Sequence, residues 1–566
     1  ARLKTPLRPI ARLTDKQGST DLCGLFVVRP KDPARSIAGL KGHRLLFGPA
    51  DSAEKHSAAF AALEEHGVPI PKKIVTKSSC SSCAHAVLEN EADASVISSY
   101  ALALLEGCNT IDKGSLRVVG RTRPVRFVTA FVPKGMPAAS RKAILDALLA
   151  IRSDAKLLEV MESKTGFVPL PSPTSAAPAK DAWADWRGPS RDGHSPHVPA
   201  TLPKKAQYLW VLPMDGLGLS GVCATREHVV VADKSAGGND DHFRCLDADT
   251  GTQLWGLRYP APGEMDYSNS PRAMPVVRGD FVYLLGAFGH LHCVRVDSGE
   301  VVWRRHLVTD FGARLPQWGY CSTPLLVDDK LIVNPGASDA ALVALDPATG
   351  KVLWKSPGRQ PGYASFIAAT FGGVRQIVGY DVVSLGGWDI ATGRRLWELI
   401  PKEEGDFNVP TPVAMGGRLL VSTENNGTRI YAFDSQGKVA PKPLAQNNDL
   451  APDTTTPVLV GGKLVGCWEK LYCLDTRNGL KALWEADDML AYDDYASLIA
   501  GSGRILIVTT RGEVLLVRAT GERYDLVARL TLFGKDAAEV WAFPALVRGR
   551  LYLRTQKALY CLLLPA

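Results

Sequence analysis

Cys245-Leu-Asp-Ala-Asp-Thr-Gly251-Thr-Gln-Leu-Trp255 is the stretch on which the fold of this 566-residue chain turns. The pattern returns from Cys293 to Trp303, as Ala344-Leu-Asp-Pro-Ala-Thr-Gly350 to Trp354, and as Gly387-Trp-Asp-Ile-Ala-Thr-Gly393 to Trp397. A strand that ends at Asp-x-x-Thr-Gly, followed by one that opens with an apolar residue and Trp, repeated at this period, is the signature of propeller blades. The motif glycines Gly251, Gly299, Gly350, Gly393, Gly437, Gly479 and Gly521 follow one another at 42 to 51 residues, about the length of a four-stranded antiparallel sheet. Seven such turns mark seven blade joints. Tyr208-Leu-Trp-Val211 and the last strand, Ala558 to Leu563, bring the count to eight, and pairing early with late strands would close the ring and remove exposed edges. Within each motif the Gly permits a positive φ, the Asp accepts backbone hydrogen bonds, and the Trp fills the gap between sheets.

Working outward, the Pro-, Ala- and Ser-rich stretch 169–182 reads as an extended linker. Residues 1–168 form a separate region and 183–566 the all-β propeller. In the first region short apolar runs (Gly24–Val28, Arg44–Phe47, Ala94–Ile97) alternate with helical patterns near 53–67, 82–91, 100–107 and 138–151. That alternation predicts an α/β region with a largely parallel sheet.

Composition is that of ordinary water-exposed protein, with 46% apolar and 22% charged residues, and no run approaches 18 uninterrupted apolar residues. The formal charge of +8 is unevenly placed: residues 1–170 carry 25 Lys and Arg against 16 Asp and Glu. The first region therefore suits an anion, whereas the clustered basic run with interleaved aromatics expected of a nucleic-acid binder is missing. Ala1-Arg-Leu-Lys lacks the layout of a secretory signal, so any export signal is expected to have been left out or removed. Eleven cysteines are too few for a disulfide scaffold in a chain this long.

The repeats resemble those of the pyrroloquinoline-quinone (PQQ) type propeller superfamily, which includes quinoprotein dehydrogenases and cofactor-free extracytoplasmic propellers. Trp186-Arg-Gly-Pro-Ser-Arg-Asp-Gly193 and Trp318-Gly-Tyr-Cys-Ser-Thr-Pro324 resemble the cofactor-free members, which implies an interaction scaffold for a protein partner. The dehydrogenase branch implies quinone and Ca²⁺, with carboxylate and amide ligands and, among alcohol oxidisers, a ring of two adjacent cysteines. No Cys-Cys dipeptide occurs here. The candidate oxygens Asn239, Asp240 and Asp241, or Glu424, Asn425 and Asn426, match no calcium-loop spacing and read as turn chemistry. Cys245, Cys293 and Cys473 occupy the position of Ala344, which makes them small apolar residues of the inter-sheet core. Cys467 and Cys473 flank a tight turn, and a disulfide across that hairpin stays open. A serine or cysteine hydrolase lacks a Gly-x-Ser-x-Gly elbow.

In the first region, strand Gly24–Val28, the segment Arg29 to Gly42, strand Arg44–Gly48 and then Asp51-Ser52 opening a helix resemble the phosphonate-type periplasmic solute-binding proteins of ABC importers. Val87 to Ala94, Ser98-Ser-Tyr100 and Thr165-Gly-Phe-Val-Pro169 extend the resemblance. It implies a type II periplasmic-binding-protein lobe, an extracytoplasmic setting and a small anionic (phosphonate or oxyanion) solute. By the same comparison the chain starts after the first half-lobe. The family's ligand contacts carry over to Ser52, Ser79 and Ser98, although Ser98 stands where the family usually has an acidic residue. Helix N-termini present free N–H groups to an oxyanion, but Ser and Asp there are also ordinary caps, and both readings stand. Cys80-Ser-Ser-Cys83-Ala-His85 lies in the loop expected to contact the anion. Local disulfide or inert pair, soft-metal or metalloid site (Cys80, Cys83, His85), and thiol redox pair are all open.

The leading expectation is thus a non-enzymatic protein without cofactor. A PQQ-dependent oxidoreductase and a thiophilic metal or metalloid sensor are the alternatives.

Overall fold

The computed structural model describes residues 7–50, 52–71, 73–126, 128–133, 136–161, 163–170, 181–488, 495–533 and 539–565. Two compact units emerge, Ala1–Leu170 and Pro171–Ala566. Residues 171–180 of the expected linker lie outside the described residues.

In the second unit, eight four-stranded sheets follow one another along the chain. Each is antiparallel throughout, as blade one shows: Cys223–Ala224, His228–Lys234, Asp240–Asp247 and Gln253–Pro260. Blade eight takes three strands from the C-terminus (Ala545–Val547, Arg550–Arg554, Ala558–Leu563), and its outer strand is Tyr208–Pro213 from the beginning of the unit. That pairing closes the eight-bladed β-propeller.

The recurrent motif is an inter-blade fastener. Asp247 Oδ1 accepts from the N–H groups of Asp249 and Thr250 and from the Thr250 hydroxyl, and Gly251 turns the chain at φ +69°. Trp255, four residues on, reaches the next blade and donates its indole N–H to the Val296 carbonyl at 2.6 Å. Trp210, Trp303 and Trp354 do the same toward Ala248, Pro347 and Ile390. Each ring lies on the next motif glycine: a Cβ on Gly299 would stand 2.7 Å from Trp255, and one on Gly350 2.7 Å from Trp303. Glycine is therefore required twice, for the turn and for the ring above it.

The pattern lapses where the sequence does. The outer strand of blade five, Ala445–Asn447, carries no Trp, and nothing lies within 4 Å of a Cβ on Gly479. Gly521 is outside the left-handed region. Cys245, Cys293 and Cys473 lie opposite Trp255, Trp303 and Trp484 on the neighbouring strand and are fully buried. Cys467 pairs with Leu471 and Cys473 with Val465, so the two cysteines are not cross-strand partners and no disulfide joins them.

The first unit places its helices close to the expected positions: Ser57–Glu65, Cys80–Leu88, Ala101–Gly107 and Ala138–Ala150. Its four-stranded sheet runs Leu45–Leu46, Ala94–Ser98, Gly24–Val28, Arg117–Arg121. Only the first pair is parallel; Gly24–Val28 runs antiparallel to both neighbours, so the expected largely parallel sheet is corrected to a mixed one. Strand–helix alternation fixes the layering but not the strand direction. A three-stranded antiparallel sheet joins Leu7–Leu13 to Val128–Pro133 and Phe167–Pro169.

Candidate functional site

In the first unit the helix expected to open at Asp51-Ser52 begins at Ser57, and Asp51 is outside the described residues. Ser52 instead starts a turn, donating its N–H to the Pro49 carbonyl and accepting at its own carbonyl from Lys55 N–H at 3.0 Å. The turn carries Glu54 and Lys55 inward, each only 8% exposed. Gly48 makes this possible, because a Cβ there would stand 2.6 Å from the Lys55 side chain.

Around that turn a polar cluster forms that sequence reasoning missed. The Ser98 hydroxyl donates to Glu54 Oε1 at 2.7 Å, and Lys55 Nζ lies 3.9 Å from the same oxygen. Lys55 Nζ also donates to Cys80 Sγ at 3.7 Å, and the Ser98 N–H does so at 3.4 Å. The one signal was the Glu54-Lys55 pair two residues after Ser52, and adjacent opposite charges are equally at home on an exposed turn.

Ser79 is the N-cap of Cys80–Leu88: its side chain accepts from Ser82 N–H at 3.0 Å, and Ser82 Oγ accepts from Ser79 N–H at 3.3 Å, a reciprocal capping box. The fold thus joins Ser98 to Cys80 and leaves Ser79 exposed at the helix start. The expected metal trio is not gathered. Cys83 is fully buried with its thiol toward the Phe47 carbonyl, and His85 Nδ1 lies 3.9 Å from Glu89. Among the described residues no group of three or more His, Cys, Asp or Glu is placed to hold a metal. Burial pushes the Cys83 thiol up to about 11.

In the propeller, the Trp183–Ser195 segment crosses the hub and touches every blade. Trp183 bridges to Ala224 of blade one, and the Ala184 carbonyl accepts from Val277 N–H of blade two. Arg191 donates to the carbonyls of Thr323, Pro324 and Phe366, at blades three and four. The Trp186 indole donates to Thr411 Oγ1, ahead of blade five, and Arg187 to the Pro457 carbonyl, ahead of blade six. Ser195 reaches Ala500 of blade seven through its N–H and Leu546 of blade eight through its hydroxyl. The Asp185 carboxylate stands among these cations, 2.7 Å from Arg191 and 3.7 Å from Arg278.

A few residues before those carbonyls stand aromatic rings. Trp318 packs on Tyr363 and Phe407 with centroids 4.8 and 4.5 Å apart, flanked by Tyr267 at 6.2 Å. Tyr267 and Phe407 are 74% and 49% exposed.

The residues considered for quinone and Ca²⁺ do not fit that pair. The hub axis is filled by the Trp183–Ser195 segment, and its carboxylate, Asp185, is held by two arginines. Asp240 pairs with Arg258, and Asp241 with Lys234 and Tyr259. Glu424 accepts from Phe407 N–H, while Asn425 and Asn426 bind Asp406 and the 403–404 carbonyls. These oxygens fasten loops.

An α/β unit followed by an eight-bladed propeller of PQQ-like repeats is the class of protein that emerges. Residues 1–172 match the family described as ABC transporter, phosphonate, periplasmic substrate-binding protein, and residues 239–485 match that described as outer membrane protein assembly factor BamB. BamB of Burkholderia pseudomallei (strain K96243) is 24% identical over 345 residues, spanning 54% of this chain and 85% of that protein. Quinohemoprotein alcohol dehydrogenase from Comamonas testosteroni shares the fold at 12% identity and a TM-score of 0.50, over 69% of this chain and 81% of its own. XAC2383 from Xanthomonas citri is 25% identical over 29% of this chain and 66% of its own, at a TM-score of 0.26. Among the described residues no helix is long and apolar enough to cross a membrane.

Proposed function

We propose that this is a non-enzymatic extracytoplasmic protein in which the first unit binds a small oxyanion of the phosphonate class and the propeller presents a docking face to a protein partner. The observation that carries the reading is the hub. A propeller whose axis is filled by its own Asp185, Arg187 and Arg191 has spent its central cavity on rigidity, which favours recognition through rim loops such as those bearing Tyr267, Trp318 and Phe407. For the solute, support comes from the excess of basic residues in the first unit and from the exposed Ser79 start of Cys80–Leu88, where N–H groups and the helix dipole favour an anion.

Calorimetric titration of the full chain with methylphosphonate and with inorganic phosphate tests the solute. Saturable binding is expected, weakened at least tenfold in Ser79→Asp, because Asp caps a helix as well as Ser but repels the anion. Equal affinity in that variant, or no heat with either anion, refutes the assignment. Adding PQQ with Ca²⁺ tests the enzyme reading: a quinone absorbance band together with alcohol-dependent dye reduction would overturn the non-enzymatic proposal.

A further inference from the structure

Cys80 and Cys83 sit in surroundings that differ in every respect relevant to thiol chemistry. Cys80 is the first residue of its helix and partly exposed. Its sulfur receives the Lys55 ammonium at 3.7 Å and the Ser98 N–H at 3.4 Å. The Ser98 hydroxyl is committed to Glu54, so it accepts from a Cys80 thiol at 3.6 Å and leaves the two N–H donors for a thiolate. Glu54 is the opposing charge in this cluster, its Oε1 3.9 Å from the same Lys55 ammonium. Cys83 is one turn further, fully buried beneath the helix. Burial, and after it Cys80, raises its pKa, while Lys55 and Lys77 are the cations that act the other way. Positions i and i+3 of a helix lie about 5 Å apart at Cα, within the span a disulfide bridges.

We propose that Cys80 and Cys83 are a reversible dithiol–disulfide pair, with Cys80 the attacking thiolate and Cys83 the resolving thiol, acting on disulfide substrates. This stands apart from the solute-binding reading. In the first step the Cys80 thiolate bonds to one sulfur of the substrate disulfide, whose S–S bond breaks, and the other sulfur leaves with the electron pair as a thiolate. In the second, Cys83 gives its proton to the released substrate thiolate and attacks Cys80 Sγ, expelling the second substrate thiolate, which takes its proton from solvent. The pair is oxidised by two electrons and the substrate disulfide is reduced to two thiols.

The arrangement separates this reading from its rivals. The Cys80, Cys83 and His85 metal trio would need His85 beside the sulfurs, whereas it faces Glu89. An inert pair would have no reason to bring a buried Lys to the more accessible sulfur.

The reduced full chain supplies the test, because exposed Cys108 in the same unit is an internal standard. Iodoacetamide at neutral pH is expected to label Cys80 about threefold or more faster than Cys108, because the Lys55 ammonium and the Ser98 N–H both meet the Cys80 sulfur and favour its thiolate. Lys55→Met removes the advantage and Lys55→Arg keeps it. Glutathione disulfide is expected to yield a Cys80–Cys83 link in the wild type, a lasting glutathione adduct on Cys80 in Cys83→Ser, and neither in Cys80→Ser, by peptide mass mapping. Cys108 outpacing Cys80, or a wild type that forms no internal link with its circular dichroism intact, overturns the proposal. Both readouts are made on the wild type, so a variant that fails to fold does not shield it.

Discussion

Replacing Arg191 by Met tests whether the hub segment holds the propeller together. Arg191 and Asp185 are 5% and 4% exposed, and the guanidinium serves the carbonyls of Thr323, Pro324 and Phe366 as well as the carboxylate. Its loss strands three acceptors and leaves the Asp185 carboxylate with Arg278, at 3.7 Å, and the Trp186 N–H, at 2.8 Å. Breaking a buried pair from one side costs about 3–5 kcal/mol, and the unpartnered carbonyls hold the figure near the upper end despite water entry. For a unit of about 400 residues, an unfolding entropy of roughly 2 cal/mol/K per residue turns about 4 kcal/mol into a Tm drop of about 5 °C. Differential scanning calorimetry reads that drop in the propeller transition. Arg191→Met combined with Asp185→Asn should recover part of it, since the uncompensated charge is gone. A single-variant shift below about 1 °C would refute the view that the hub segment bears on stability.

Other perturbations separate local from inter-blade effects. Gly350→Ala should cost about 2–3 kcal/mol in urea unfolding, from its φ of +69° and the Trp303 ring 2.7 Å away, whereas Gly479→Ala, at φ +66° with open space around it, should cost only the backbone share of about 1 kcal/mol. Equal costs would remove the Trp–Gly fastener. His292 is held neutral, its pKa lowered to about 4 by burial, then by His290 and Arg304, and the Tyr259 ring packs on it at 4.6 Å; Lys234 and His306 act on adjacent His290. The unfolded chain takes up its proton below about pH 6.5 and the folded one only near 4, so stability should fall between those values by on the order of 3 kcal/mol. His292→Phe should flatten that part of the profile, and an unchanged slope counts against it. Lys234→Met, which leaves buried Asp241 with Tyr259 alone, should cost about 3–5 kcal/mol by the same urea assay, and a change below about 1 kcal/mol would show that the pair is not buried in solution.

Much of the propeller was legible before any coordinates. Asp-x-x-Thr-Gly is a turn because five adjacent residues make it one: the Asp carboxylate binds N–H groups two and three residues ahead, and Gly takes the positive φ. Counting such turns gave seven joints, and the strand pair Tyr208–Pro213 and Ala558–Leu563 gave the closure. The first unit was less legible. Its helices follow from periodicity, but a β-strand of five residues carries no mark of its direction, and the Gly24–Val28 strand runs opposite to expectation. Ser52 looked like a cap because caps are recognised by residue type, whereas the chain makes a turn there first and the helix starts at Ser57.

By itself the sequence determined what depends on neighbours along the chain: the repeat, its turns, the number of blades and the helix positions. Only the tertiary structure decided which blade each Trp fastens, that Arg187 and Arg191 fill the hub, and that Lys55 and Ser98 meet at Cys80. Those contacts join residues tens to hundreds of positions apart, so no local pattern encodes them; they exist because ring closure brings eight strand starts to one axis and sheet packing brings a turn over a helix end.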